Sequence, residues 1–150
     1  MTQYAPNSES NVFERSLVLI KPDAVQRKLV GKIIERFENK GLKLVAMKLF
    51  LATREMAEEH YIEHQDRAFF EKLMDYMTSH PLIPMVWEGP NSIKIIRNML
   101  GVHDPTLALA GTIRGDFSVN LQNNVIHGSD SIDAAKREIN IWFQPNEIPY

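Results

Sequence analysis

The sequence predicts an α/β sandwich with one sheet lying under helices, and three observations lead there. Short apolar runs closed by proline or glycine alternate with stretches whose apolar residues recur at helical spacing, so strands and helices interleave along the chain. The chain has 150 residues, 44% of them hydrophobic, which is enough for one core and too little for a second full domain. No internal repeat or linker divides it. One domain over residues 13–150 is therefore expected, after a flexible arm over residues 1–12 rich in Ser, Asn and Gln.

Leu17-Val18-Leu19-Ile20 is a buried strand closed by Lys21-Pro22-Asp23, because proline cannot continue a ladder; Lys21 then stands at a strand end. Val30, Ile33, Ile34 and Phe37 mark one helix face, and Gly41 supplies the left-handed stop. Residues 42–51, dense in Leu, Val, Met and Phe, read as a long second strand. Thr53 is an N-cap with Glu55 in the first turn, and that helix runs through His60 and Tyr61. Phe69, Phe70, Leu73, Met74 and Met77 form the next helical stripe, ended by Ser79-His80-Pro81. Residues 82–87 are the third strand, and Pro84 within them predicts an irregular or edge segment. A turn at Gly89-Pro90-Asn91-Ser92 opens a helix with Ile93, Ile96 and Leu100 on its inner face and Arg97 beside it. Residues 102–115 show no period, which in a compact domain marks a functional loop. Residues 116–121 alternate polar and apolar and read as the fourth strand. Finally, Ser129, Asp130 and Ser131 offer caps for a helix faced by Ile132, Ala135, Ile139 and Trp142.

Seventeen basic and nineteen acidic residues leave a formal net charge of -2, so no global attraction to nucleic acid or an anionic membrane is expected. The absence of cysteine excludes disulfides, thiolate metal sites and a cysteine nucleophile. No apolar stretch approaches the roughly 20 residues of a membrane span, and a cytoplasmic protein is the expectation.

Phosphate chemistry would have to come from local clusters. Neither G-x-x-x-x-G-K-[ST] nor G-x-G-x-x-G occurs. Cations do stand at punctuation points: Lys21 after a strand, Arg97 on a helix flank, and Arg114 within Gly111-Thr112-Ile113-Arg114-Gly115. Guanidinium forks match phosphate oxygens, although a lone arginine is more often a solvated or paired cation. His127, between an apolar run and a helix start, could attack phosphorus through one ring nitrogen if the other donated to a fixed acceptor; Glu138 is a candidate acceptor. Its bland alternative is a packing residue. His60-Tyr61-Ile62-Glu63-His64 matches the H-x-x-E-H pattern of zinc peptidases, against the plainer reading of an exposed polar helix end. A phosphocarrier and a noncatalytic nucleotide-binding module also stay open at this level.

Taken together, Ile20-Lys21-Pro22-Asp23, Arg67 with Phe69-Phe70, Met85-Val86-Trp87-Glu88-Gly89, Gly111 to Phe117 and Asn124-Val125-Ile126-His127-Gly128-Ser129-Asp130-Ser131 make the chain resemble nucleoside diphosphate kinases from Glu14 to Pro145. The resemblance implies a ferredoxin-like βαββαβ core with an antiparallel four-stranded sheet covered by helices. It also implies ping-pong transfer of a γ-phosphate from a nucleoside triphosphate to a nucleoside diphosphate, with broad base acceptance. By the same resemblance His127 is phosphorylated, Glu138 holds its second nitrogen and Ser129 supports that carboxylate. Lys21 and Asn124 bind the sugar, Lys21 also reaching the transferred phosphate, which Tyr61 orients; Arg97 and Arg114 surround the phosphates, where Mg²⁺ is carried. Phe69 stacks on the base, with Leu121 on its other face.

Three positions depart from the family's pattern. His103, in Gly101-Val102-His103-Asp104-Pro105, stands where a phosphate-contacting threonine is usual. Leu107-Ala108-Leu109-Ala110 replaces polar residues and a proline in a loop that tends to lie at subunit contacts, and Ala68 replaces the proline before Phe69. Family members assemble as homo-oligomers; the hexamer is favoured here, with a tetramer the alternative because the chain stops at Tyr150 soon after Trp142-Phe143-Gln144-Pro145.

Overall fold

The computed structural model describes residues 13–150; the arm expected over 1–12 lies outside the described residues. Four strands, β1 (Phe13–Ile20), β2 (Lys43–Met47), β3 (Ile83–Pro90) and β4 (Ile126–Gly128), form one antiparallel sheet in the order β2-β3-β1-β4. Around it lie α1 (Pro22–Gln26), α2 (Val30–Lys40), α3 (Arg54–His60), α4 (Phe70–Ser79), α5 (Ser92–Leu100), α6 (Ile113–Phe117) and α7 (Ile132–Trp142). The ferredoxin-like arrangement is the expected one.

Strand alternation sends β1 residues to opposite faces, and both faces are covered. Val18 and Ile20 pack with Ile33, Phe37, Trp87 and Ile96, beneath α2 and α5. Leu17 and Leu19 pack with Met74, Met77, Val86 and Trp142, beneath α3, α4 and α7. A strand buried on two faces has to be apolar at successive positions, which is why residues 17–20 form an unbroken run. Each such side chain contributes about 1.5–3 kcal/mol by leaving water. β1 reaches back to Phe13, beyond the apolar run, because its first turn of residues faces solvent and Arg15 pairs with Glu88 across the sheet.

The caps follow local chemistry. Gly41 closes α2 at φ 92° and returns its N–H to Phe37 and Glu38; Thr53 and Ser131 accept from Met56 and Ala134 at the starts of α3 and α7.

Three expectations change. The second strand is five residues with a bulge between Leu44 and Ala46; after a break, Phe50 bridges Leu82. Pro84 does not mark an edge, for β3 lies between β2 and β1. Its carbonyl accepts from Lys48 just beyond the last β2–β3 pair, Met47 with Met85, so its missing N–H falls where that ladder has ended. Most consequentially, residues 116–121 are not a strand. The Thr112 hydroxyl caps Gly115 and winds 113–117 into α6, while the Asn120 carboxamide accepts from Gln122 and Asn123 in a turn. Val119 and Leu121 are exposed, so their alternation matched no buried face. The fourth strand is the shorter Ile126–Gly128, on the free side of β1.

Candidate active site

A tight turn sets up β4. Ile126 N–H donates to the Asn124 carbonyl at 2.8 Å, which forces Val125 to φ 76°. For a β-branched residue that conformation costs about 1–3 kcal/mol and persists only where the surroundings impose it. Here Lys21 N–H holds the Val125 carbonyl at 2.9 Å, so the end of β1 and the start of β4 are tied together. Lys21 Nζ donates to Asn124 Oδ1 at 2.7 Å, joining the two side chains expected at the sugar.

With Ile126 in the α2–α5 core, alternation sends His127 to the opposite face, toward α3 and α7. There its Nε2 meets Glu138 Oε1 at 2.9 Å and Oε2 at 3.2 Å. Ser129 Oγ donates to the same Oε1 at 2.8 Å and accepts Leu17 N–H at 3.0 Å. Ser131 serves as the α7 cap, so Ser129 is free for this second task. Gly128 has no room for a side chain, since a Cβ would lie 2.8 Å from Leu100 Cδ1.

Burial, followed by the charges of Lys21, Arg114 and Arg97, holds the His127 pKa well below the ordinary histidine value. Burial also raises that of Glu138. The imidazole is therefore neutral at physiological pH. With Nε2–H given to Glu138, its lone pair sits on Nδ1.

The three predicted cations converge. Arg114 is 1% exposed and spends its fork on the carbonyls of Gly101 (2.8 Å) and Ile126 (2.6 Å), with its pKa lowered to about 10 by burial and by Arg97. Arg97 Nη1 donates to the Gly128 carbonyl at 3.3 Å. Lys21 falls to about 7, through burial and then Arg114, against an opposing pull from Asp23. His103 joins them: desolvation of its ring, then the fields of Arg114, Lys21 and Arg97, lower it to about 4. Mutually repelling cations held in one place favour a polyanion.

Beside this cluster opens a cleft of about 550 Å³ lined by Tyr61, Phe69, His103, Leu121 and Asn124 among the predicted residues. Phe69 and Leu121 are exposed into it. Tyr61, whose hydroxyl donates to Met77 Sδ at 3.8 Å, has its pKa raised by burial and stays a neutral phenol.

The H-x-x-E-H pattern comes apart. α3 ends at His60, and Ile62–His64 is a 3-10 turn; the His60 ring faces His127 and Trp142 while His64 faces Phe69. His60 is also buried, contrary to an exposed helix end. Among the described residues, His60, His127 and Glu138 are the one group of donors close enough for a metal, lying within 4.8 Å of one another. Trp142 Nε1–H already occupies His60 Nδ1 at 3.0 Å.

The nucleoside diphosphate kinase family model matches residues 14–148, nearly all of the described chain. The chain belongs to the nucleoside diphosphate kinase family. It is 55% identical over 135 residues to the nucleoside diphosphate kinase of Staphylococcus carnosus, covering 90% of each. Among solved structures it is similar to the Halobacterium salinarum nucleoside diphosphate kinase in complex with CDP, with a TM-score of 0.90, 45% identity and 93% of each chain covered. A nucleoside diphosphate kinase family protein from Babesia bovis gives a TM-score of 0.89 at 46% identity, covering 91% of this chain and 93% of that one. Phosphoryl transfer between nucleotides is thus the enzyme's activity class.

For this nucleoside diphosphate kinase family member the cleft also includes His64, which the sequence offered only as part of the zinc-like pattern, and Lys72, Leu73, Tyr76, Gln122 and Asn123, which it assigned to no site. Leu73 had been assigned to the core stripe of its helix; only its place at the stripe's edge could have suggested otherwise. Tyr76 carried no signal, and its hydroxyl donates to Asp23 at the start of α1.

Proposed function

We propose that the chain transfers the γ-phosphate of a nucleoside triphosphate to a nucleoside diphosphate in two half-reactions through a phosphohistidine on His127. The observation that carries this reading is the Ser129–Glu138–His127 chain of hydrogen bonds, which commits Nε2 as donor and leaves the Nδ1 lone pair free on a ring that lies within the fields of Lys21, Arg114 and Arg97. Nδ1 attacks the γ-phosphorus, the bond to the β-phosphate oxygen breaks, and the diphosphate leaves. A β-phosphate oxygen of the acceptor then attacks phosphorus and the N–P bond breaks. No general base is required, because the attacking Nδ1 of the neutral imidazole carries no proton.

Charge forming on the phosphoryl oxygens is met by Arg97, Arg114 and Lys21, and Lys21 takes up a proton as the polyphosphate arrives. The Tyr61 hydroxyl orients the transferred group; His103 donates an N–H to a phosphate where threonine is usual. Lys21 and Asn124 hold the sugar hydroxyls, and Phe69 and Leu121 sandwich the base by contact that reads little of its edge, hence broad acceptance. The cleft lining holds no carboxylate, so Mg²⁺ fits as an ion carried on the nucleotide phosphates, where it supplies charge neutralisation.

Residues 13–150 work as one domain in this reading, in a cytoplasmic homo-oligomer for which the hexamer is favoured over the tetramer. Exposed Leu107 and Leu109 support an apolar subunit contact, and sedimentation of the purified chain measures its size.

Incubation with γ-labelled Mg-ATP should leave an acid-labile phosphate on the protein that added GDP removes. Equal labelling of His127→Ala, or none of the wild type, refutes the mechanism. Noncatalytic binding has no feature in its favour.

A further inference from the structure

His60 is a buried, titratable side chain that the chemistry above does not use. Burial would suit a phenyl or isobutyl group better, because an imidazole has two polar nitrogens to satisfy. One is satisfied from α7: the Trp142 indole, a donor only, gives Nε1–H to His60 Nδ1 at 3.0 Å. His60 Nδ1 must therefore be the bare nitrogen, and the ring proton sits on Nε2. A proton added to Nδ1 would set two N–H groups against each other. Helix α7 holds the backbone as well, Arg137 donating to the carbonyls of Glu59 (3.0 Å) and His60 (3.3 Å) at the end of α3.

What this twice-tethered ring touches is the nucleophile. His60 and His127 meet edge to face, with centroids 4.5 Å apart and planes at 81°. Tyr61 and Trp142 close two further sides at 4.6 and 5.7 Å. The helix that carries Glu138, which accepts the His127 Nε2–H hydrogen bond, thus also sets the position and tautomer of His60. A half-turn of the His127 ring would replace Nε2 by carbon at Glu138 and carry Nδ1 out of line. His60 fills space that such a turn needs.

We propose that His60 is a positioning residue for His127: locked in one neutral tautomer by Trp142, it forms the wall that keeps Nε2 on Glu138 and Nδ1 toward the incoming phosphorus. The proposal rests on the phosphohistidine reading. Neutrality is part of the role, because phosphorylation makes the His127 ring cationic, and a protonated His60 would repel it and compete for Glu138. The groups facing His60 are His127 from β4, Glu138 and Arg137 from α7, Lys21 beyond β1, and Tyr61; burial is the first cause keeping it uncharged and the His127 field the second. A zinc ion on His60, His127 and Glu138 is the competing use of the same donors. It runs against the Trp142 hydrogen bond at Nδ1 and the neighbouring cations.

Two variants of the full chain separate the role from simple packing. His60→Asn keeps an oxygen acceptor for Trp142 and removes the ring wall; Trp142→Phe keeps the wall and removes the lock. In His60→Asn, single-turnover phosphoenzyme formation should slow roughly ten- to a hundredfold. The nucleotide KM should stay within about twofold. The ¹⁵N signals of His127, a single Nε2–H tautomer in the wild type, should move toward an average of two forms. In Trp142→Phe the rate should hold at alkaline pH and fall off at a higher pH than in the wild type, as His60 becomes free to take a proton. A His60→Asn protein with the wild-type rate overturns the proposal. So does a slow one whose His127 tautomer is unchanged, which would make His60 packing alone, and so does stoichiometric zinc in the wild type that His60→Asn loses. If the wild type takes no phosphate on His127 the underlying chemistry has failed, and the tautomer measurement, which needs no nucleotide, still decides whether His60 orients that ring.

Discussion

Glu138→Gln tests the centre of the mechanism with the smallest change of shape. The carboxylate receives His127 Nε2–H at 2.9 Å and Ser129 Oγ–H at 2.8 Å on the same Oε1, and a carboxamide oxygen in that place can keep both bonds while losing the charge. A hydrogen bond to a charged group contributes about 1–2 kcal/mol more than a neutral one. That difference appears only as the imidazole turns cationic on accepting phosphorus, so phosphoenzyme formation should slow about 5- to 30-fold. Stability should move the other way. Burial raises the Glu138 pKa, so the folded chain holds this proton more tightly than the unfolded chain does. A raised carboxyl contributes stability below its unfolded pKa and loses it as pH rises through the folded value. At neutral pH the buried charge therefore opposes folding, and Gln should leave the melting temperature unchanged or higher. Rapid-quench labelling and thermal denaturation on the same preparation check both halves. A wild-type rate, or a slow rate accompanied by a clear drop in melting temperature, would sink the argument.

Phe69→Ala should raise the nucleotide KM by an amount worth about 1–3 kcal/mol, alike for adenine and guanine diphosphates, with little loss of stability from so exposed a ring; an effect on one base alone contradicts sequence-tolerant stacking. His60 and His127 have folded pKa values well below the histidine norm, so their stability contribution is present above the unfolded value of about 6.5 and is lost as pH falls below it. The urea midpoint should decline between about pH 7 and pH 5, less steeply in His127→Ala, and a flat profile counts against neutral burial. Gly128→Ala places a methyl 2.8 Å from Leu100 Cδ1 and 3.3 Å from Ile96 Cγ2, both in filled core, and should cost about 1–3 kcal/mol by chemical denaturation; an unchanged midpoint would mean that the β4–α5 contact yields.

Elements whose burial is uniform were legible without coordinates. Residues 17–20 had to be a strand covered on both faces, and the stripes of α2, α4, α5 and α7 each turn one face to the sheet, so local pattern and tertiary environment agree. The fourth strand was misplaced because alternation reports which residues are apolar and not which are buried. Val119 and Leu121 alternate but face outward, whereas Ile126-His127-Gly128 is too short to show a period and is a strand only because β1 has a free edge beside it. Pro84 misled for a similar reason: whether a missing N–H matters depends on where the neighbouring strand stops.

The site divides along the same line. The chemical inventory of the proposed reaction was legible in the sequence alone: Lys21, Phe69, Arg114, His127 and Ser129 stand in the motifs shared with nucleoside diphosphate kinases, and Arg97 and Glu138 lie on the helix faces beside them. Their convergence was decided in three dimensions. Glu138 reaches His127 because α7 packs on the face to which β4 turns its middle residue, and Arg114 is held by the carbonyls of Gly101 and Ile126, from two different segments. His60 shows the limit most plainly. In the sequence it is half of a zinc-like pattern with His64; in the fold the helix ends between them, Trp142 fixes its tautomer, and its ring meets that of His127, the proposed nucleophile. Residue types set which protons can be given or taken, and only the packing of α3 and α7 against β4 determines which nitrogen faces which partner.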